Sequence, residues 1–200
     1  MSLSVVGLDP AGAFYARLVE SGQAVLVLGA ADALVACAAA ARGVEVVAVE
    51  PSTRLLALAI ERREAQATGV NLRFEQADVR SVRLGRAFPL VLAPQNALGL
   101  MDREADVAAF VATLAAHLAP GGRFALDLRL PRPDAPRGGR PHLRARGSGA
   151  HRLRQPALEA AALQAQLLAA GLRVDERYGD FAGTPAGEGD ALRVLVGRRS

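Results

Sequence analysis

The sequence predicts an α/β fold in which helices cover both faces of a mostly parallel sheet. Short apolar runs rich in Val and Leu alternate along the 200 residues with longer Ala-rich segments. The apolar runs are continuous, without the polar alternation of a half-exposed strand, as is typical of buried parallel strands. Hydrophobic residues make up 51% of the chain but aromatic residues only 4%, so aliphatic side chains must fill the core. This length suits one domain, and we expect residues 1–200 to form it.

In the first half of the chain, polar caps and glycines set the predicted limits of the helices. Asp9-Pro10 is typical of an N-cap followed by proline in the first turn, and Ser52 is a second cap. Gly43 and Gly69 follow helical runs and are expected to end them. The predicted elements are a helix from Pro10 to about Ser21-Gly22, a strand at 24–28, a helix at 32–42, a strand at 44–49, a helix at 52–68 and a strand at 70–75.

The second half continues this alternation and adds a segment rich in Pro, Gly and Arg at about 131–154. We expect a linker over 131–141 and a hairpin that turns at Gly147-Ser148-Gly149. The other predicted elements are a strand at 88–93, a helix at 103–118 capped by Asp102, a turn at 118–122, a strand at 123–130, a helix at 156–170 and strands at about 172–181 and 190–197.

Positive charge is concentrated in one segment. The chain has no lysine, and residues 129–154 hold eight arginines and one acid, whereas the rest holds 16 arginines and 19 acids. This segment is interpreted either as a solvated hairpin or as a contact surface for nucleic acid or another anionic partner. It lacks the aromatic residues that stack on bases. The side chains that would bind nucleic acid are Arg144, Arg146, Arg152 and Arg154.

Few residues suit metal or nucleophilic chemistry. Cys37 is the only cysteine and has no metal-ligating neighbours, so we expect it to be structural. His117 is expected to be structural within its helix, and His142 and His151 to be solvated. We find no signal peptide and no apolar run that could cross a bilayer, so we expect a cytoplasmic protein without membrane contact.

Ligands of parallel α/β folds bind beyond the carboxyl ends of the strands. The loops there resemble those of the class I S-adenosylmethionine-dependent methyltransferases, most of all a subgroup of small bacterial methyltransferases. The resemblance covers about residues 14–199 and lies in the order and spacing of the stretches VLVLGAADA, VEVVAVEPS, FEQADVRSV, FPLVLAPQNALGLM, LAPGGRFALDL and RYGDFAGTP…LRVLVGRR. It implies a Rossmann-like sheet of seven strands whose last strand is antiparallel.

The resemblance also implies roles for single residues, with S-adenosylmethionine as the cofactor. Glu50 would bind the two ribose hydroxyls, because a carboxylate can accept both O–H groups at once. Asn96 would orient the substrate, and Tyr15 would close the pocket. The implied cofactor-binding residues are Gly29, Ala30 and Ala31 at the amino-acid end, Glu50 and Pro51 at the ribose, Asp78 and Val79 at the adenine, and Pro94 in the loop nearest the transferred methyl group.

The sequence departs from the family's pattern at four positions. Val27 occupies the place of an acid that helps to hold the methionine ammonium group, and Ala31 and Ala33 replace two glycines. Pro89 replaces an Asp of the fourth strand. An alanine forced to a positive φ costs about 1 kcal/mol. Asp32 is a candidate substitute for the missing acid, although we expect it to cap the following helix.

Three functions therefore remain open. The first is a methyltransferase that acts on an unidentified small molecule. The second is a non-catalytic binding or regulatory protein that keeps the fold but has lost cofactor binding. The third is a nucleic-acid-directed methyltransferase or nucleic-acid-binding protein.

Overall fold

A computed structural model describes residues 9–66, 69–101, 103–130 and 160–200. The predicted insert at 131–154, with His142, His151 and the four arginines assigned to nucleic acid, lies outside the described residues, as does Asp102. In chain order the elements are α1 (Pro10–Arg17), β1 (Val25–Leu28), α2 (Leu34–Ala40), β2 (Val46–Val49), α3 (Thr53–Glu64), β3 (Leu72–Glu75), β4 (Phe88–Ala93), a 3₁₀ turn (Ala97–Leu100), α4 (Glu104–His117), β5 (Leu118–Arg129), α5 (Ala160–Ala169), β6 (Leu172–Tyr178) and β7 (Leu192–Arg199).

The strands form one seven-stranded sheet in the order β3-β2-β1-β4-β5-β7-β6. Neighbouring strands from β3 to β5 are parallel, and β7 runs antiparallel to β5 and β6. The α/β class and the antiparallel last strand are thus confirmed. No helix among the described residues is long and apolar enough to cross a membrane.

Helices cover both faces of the sheet, because alternate residues of each central strand point to opposite sides. Leu26 and Leu28 pack into a cluster that includes Phe110 of α4. Val25 and Val27 pack into a second cluster, to which α1, α2 and α3 contribute. All four residues of β1 are fully buried. The continuous apolar runs of the sequence therefore mark the centre of the sheet.

Several predicted boundaries and caps are wrong. The predicted turn at 118–122 belongs to β5, because Leu118 already pairs with Phe88 before the register shifts. The cap of α2 is Ala33 rather than Asp32, and Asp9 precedes α1 without a side-chain capping bond. Ser52 does cap α3, since its hydroxyl accepts the N–H of Leu55.

The turn that leaves β1 requires a glycine. Gly29 has a φ of +76°. Its N–H and that of Ala30 both donate to the carbonyl oxygen of Val49, at 2.9 and 3.0 Å. A Cβ at Gly29 would lie 3.0 Å from the Cβ of Ala97, in the loop after β4. The two loops are therefore packed as closely as a glycine permits.

A buried carboxylate joins α1, β5 and the loop after β4. Asp127, on β5, is 3% exposed. Its Oδ1 accepts the hydroxyl of Tyr15 at 2.7 Å and the N–H of Gln95 at 2.8 Å, and its Oδ2 accepts the N–H of Asn96 at 2.8 Å. Burial raises the pKa of Asp127, while the three hydrogen bonds oppose that change. Gln95 and Asn96 both have left-handed backbones, at φ +59° and +58°, and this carboxylate holds them there.

Tyr15→Phe is expected to lower the free energy of unfolding by about 1–3 kcal/mol, because it removes one buried donor from a carboxylate. Denaturant unfolding at pH 7 measures this. Tyr178→Phe is the matched control, since that hydroxyl bonds the exposed Glu176. Equal losses in the two variants would contradict the structural role given to Asp127.

Gly29→Ala is expected to destabilise the protein more than Gly22→Ala, by about 1 kcal/mol. Both glycines have the same backbone, at φ +76° and +77°, but nothing lies within 4 Å of a Cβ at Gly22. The comparison therefore isolates the contact with Ala97 from the cost of a positive φ. Thermal unfolding measures both variants, and Ala97→Gly in the Gly29→Ala background should recover the difference. Equal destabilisation by both substitutions would show that the contact with the Cβ of Ala97 does not affect the stability of the protein.

Candidate cofactor site

A cavity of about 430 Å³ lies where β1, β2, β3 and β4 end. Its wall also includes the beginnings of α3 and α4. This is the edge of the sheet at which ligands of parallel α/β folds bind. The predicted cofactor residues that line the cavity are Gly29, Ala31, Glu50, Pro51, Asp78 and Val79.

Glu50 ties together the two loops on either side of it. Its side chain is 4% exposed. Oε2 accepts the N–H of Ala31 at 2.7 Å, and Oε1 accepts the N–H of Ser52 at 2.9 Å. A carboxylate offers about four acceptor positions, so two backbone donors leave capacity for two further hydrogen bonds. Glu50 therefore combines a fixed position with unused acceptors at the cavity wall.

The loop after β1 has a glycine-like backbone without the glycines. Ala31 and Ala33 have φ values of +48° and +61°. Each left-handed alanine costs about 1–2 kcal/mol. The N–H of Ala31 is bound by Glu50, and that of Ala33 by the carbonyl oxygen of Ala30, at 2.8 Å. These bonds help to keep the alanines in the conformation that glycine would adopt.

Asp78 is paired with an arginine that the sequence analysis did not single out. Arg80 donates to both oxygens of Asp78, at 2.6 Å from Nη2 to Oδ2, and also bonds Asp106 at 2.9 Å. The hydrogen bond from Arg80 keeps the pKa of Asp78 below its usual value. Arg80, Asp106 and Arg103 all line the cavity, so this wall carries two pairs of opposite charges. The spacing Asp-x-Arg in the sequence was the available signal for this pairing.

Four predicted site residues do not line the cavity. Ala30 and Pro94 are buried and are not among its lining residues. Tyr15 is fully buried against Asp127, and the Oδ1 of Asn96 accepts the N–H of Arg129 at 2.9 Å. Their assignments to cofactor and substrate stay predictions. From the loop after β4, Gln95 and Ala97 reach the cavity instead.

Asp32 does not line the cavity but adjoins two residues that do, Ala31 in the chain and Gln95 through a hydrogen bond. Its Oδ2 is 2.6 Å from Nη2 of Arg62, on α3, and its Oδ1 accepts Nε2 of Gln95 at 3.1 Å. A 3.4 Å hydrogen bond from the N–H of Leu34 is its only described contact with the start of α2. The expected capping role is therefore minor.

Asp127, which binds the loop after β4, is another residue that the sequence analysis missed. Its signal was a lone acid within the apolar strand FALDL. His117 is 2% exposed and bonds the N–H of Leu84 and the carbonyl oxygen of Thr113, as befits the structural role expected of it. Cys37 is buried as well, and burial raises the pKa of its thiol.

Comparison with solved structures places the fold among methyltransferases. A TehB-like SAM-dependent methyltransferase from Corynebacterium glutamicum is 15% identical, with 99% of this chain and 92% of that one aligned at a TM-score of 0.73. The CcbJ methyltransferase from Streptomyces caelestis is 20% identical, with 96% of this chain and 90% of that one aligned at a TM-score of 0.77. The glycopeptide N-methyltransferase MtfA, complexed with S-adenosyl-L-methionine, is 24% identical, with 100% of this chain and 96% of that one aligned at a TM-score of 0.70.

The sequence comparisons give one match. A family model described as a methyltransferase domain matches residues 25–122, from β1 into β5. No curated protein sequence matches the chain. The matched region contains every residue found on the cavity wall, and the seven-stranded, mostly parallel sheet is that of a Rossmann-like methyltransferase fold. Residues 25–122 therefore match a methyltransferase domain, and the chain has the Rossmann-like fold of the methyltransferases.

Proposed function

We propose that this protein binds S-adenosylmethionine in the cavity and transfers its methyl group to a small molecule. The observation that carries the proposal is Glu50. Its carboxylate is fixed by two backbone N–H groups at the end of β2 and keeps acceptor capacity for two hydroxyls. A ribose offers two adjacent hydroxyls, which is the donor pair that such a carboxylate suits.

The residues of the cavity fit the rest of the cofactor. A volume of about 430 Å³ lies within the range of small-molecule sites. Gly29, Ala31 and Ala33 have the positive φ angles that glycines readily adopt. Because Gly29 has no side chain, backbone and ligand can approach closely there. Val79 and Asp78 would lie at the adenine end of the cofactor.

The cofactor, when bound, supplies a methyl group on a sulfonium that is already a strong donor. The protein then has to orient the acceptor and exclude water. Gln95 and Ala97 come from the loop that would face the methyl group, and Asp127 fixes the backbone of Gln95. No residue is assigned as a general base.

The small-molecule acceptor is supported by one similar structure. MtfA is named a glycopeptide N-methyltransferase, so in that protein this fold serves an acceptor other than nucleic acid. Within the described wall, Arg80 and Arg103 are both paired with Asp106. With Glu50 and Asp78, the described wall holds three acids against two arginines, so it carries no net positive charge to attract a polyanion.

A second candidate function is a methyltransferase fold that no longer binds its cofactor. One observation favours it: Arg80 already occupies both oxygens of Asp78, the acid assigned to the adenine. The third candidate, a nucleic-acid-directed protein, rests on arginines outside the described residues.

Glu50→Ala is expected to raise the Kd for S-adenosylhomocysteine about a hundredfold or more, because two hydrogen bonds to the ribose are lost. Isothermal titration calorimetry measures this, starting from micromolar affinity in the unaltered protein. Glu50→Gln, which keeps the shape of the side chain and one acceptor oxygen, should lose about tenfold.

The control is Glu45→Ala, which removes a glutamate paired with Arg73 and Arg86 outside the cavity wall. Its affinity should equal that of the unaltered protein. Thermal unfolding of each variant separates loss of binding from loss of the fold, since Glu50 also holds Ala31 and Ser52. Absence of binding by the unaltered protein up to millimolar ligand would refute the proposal in favour of the second candidate.

A further inference from the structure

The acids on the cavity wall already have partners. Both oxygens of Glu50 accept backbone N–H groups, and its remaining acceptors suit the ribose. Asp78 and Asp106 are both held by Arg80. Glu50 is thus assigned to the ribose, and the other two acids are already paired with Arg80.

Asp32 is the acid closest in sequence to that loop, directly after Ala31. On the side of α3, Arg62 binds its Oδ2 at 2.6 Å and its backbone carbonyl oxygen at 2.8 Å. Its side chain is 36% exposed, so Asp32 remains accessible. The arginine holds one carboxylate oxygen and leaves the other, Oδ1, to face Gln95.

Gln95 connects Asp32 to the cavity. Gln95 is one of the residues that line the cavity, and its Nε2 lies 3.1 Å from Oδ1 of Asp32. Its backbone is fixed, because its N–H is bound by the buried Asp127 at 2.8 Å. The loops after β1 and β4 thus meet through a carboxylate and an amide, and the carboxylate directly follows Ala31 of the cavity wall.

S-adenosylmethionine carries an α-ammonium group at its amino-acid end. A buried ammonium needs oxygen acceptors, and an anionic one is strongest. Val27 cannot supply it, because its side chain is apolar and fully buried within β1. We propose that Asp32, held beside the cavity by Gln95, binds the α-ammonium group of the cofactor. This inference rests on the proposed function and adds to it the residue that recognises the methionine end.

Two ligands test this assignment. S-adenosylhomocysteine carries the amino-acid end, whereas 5′-methylthioadenosine has the same adenine and ribose without it. Asp32→Asn keeps the size of the side chain and removes its charge. It is expected to raise the Kd for S-adenosylhomocysteine about tenfold to a hundredfold. The Kd for 5′-methylthioadenosine should not change.

Arg62→Gln is the matched control. It breaks the same salt bridge but leaves the carboxylate in place, so the Kd for S-adenosylhomocysteine should stay within about threefold of the original. A loss as large as that of Asp32→Asn would mean that Asp32 acts only by holding the loop, and would overturn the proposal.

Three other results have defined meanings. Unchanged affinity of Asp32→Asn for S-adenosylhomocysteine would overturn the role of Asp32 while leaving the proposed function intact. Equal weakening of both ligands would overturn it too, since the effect would then come from the fold of the loop. Failure of the unaltered protein to bind either ligand would refute the proposed function, and this inference with it.

Discussion

Two buried carboxylates hold the loops around the cavity in conformations that their residues do not favour. Glu50 binds the N–H of Ala31, and Asp127 binds those of Gln95 and Asn96. All three residues have positive φ angles without being glycine. A buried carboxylate is stable only when donors surround it, and left-handed backbones point consecutive N–H groups to one side. Each carboxylate and its loop therefore stabilise one another, and the shape of the cavity depends on both.

The sheet could be predicted from the sequence because its signal is local. Runs such as VLVL and FPLVLA are apolar throughout, and the polar residues that matter come where such runs end. Gly29 and Glu50 follow β1 and β2 directly, so the carboxyl edge of the sheet brings them to one cavity. Predicting that Gly29 and Glu50 lie together therefore required only the order of the strands and helices along the chain.

Asp127 could not be found in the same way, because its partners are distant in the chain. Tyr15 is 112 positions away and Gln95 is 32 positions away. The pairing of Asp78 with Arg80 is local, yet its extension to Asp106 crosses 26 positions. From sequence patterns, an alanine in place of a glycine is also expected to change the backbone conformation of the loop. At Ala31 and Ala33 the surrounding hydrogen bonds instead keep the backbone at positive φ, which is a strained conformation for alanine.

The place of β7 in the sheet has a consequence for how the protein reaches its fold. β7 follows the other strands along the chain, yet it lies between β5 and β6. Until β7 is made, one edge of β5 and the whole of β6 have unpaired N–H and C=O groups, which can pair with other chains. A growing chain that has already formed β1 to β5 therefore exposes an unpaired strand edge, which can aggregate, until β7 is synthesised. Slow synthesis of residues 172–199 would lengthen this interval and favour aggregation, whereas rapid insertion of β7 would close the sheet.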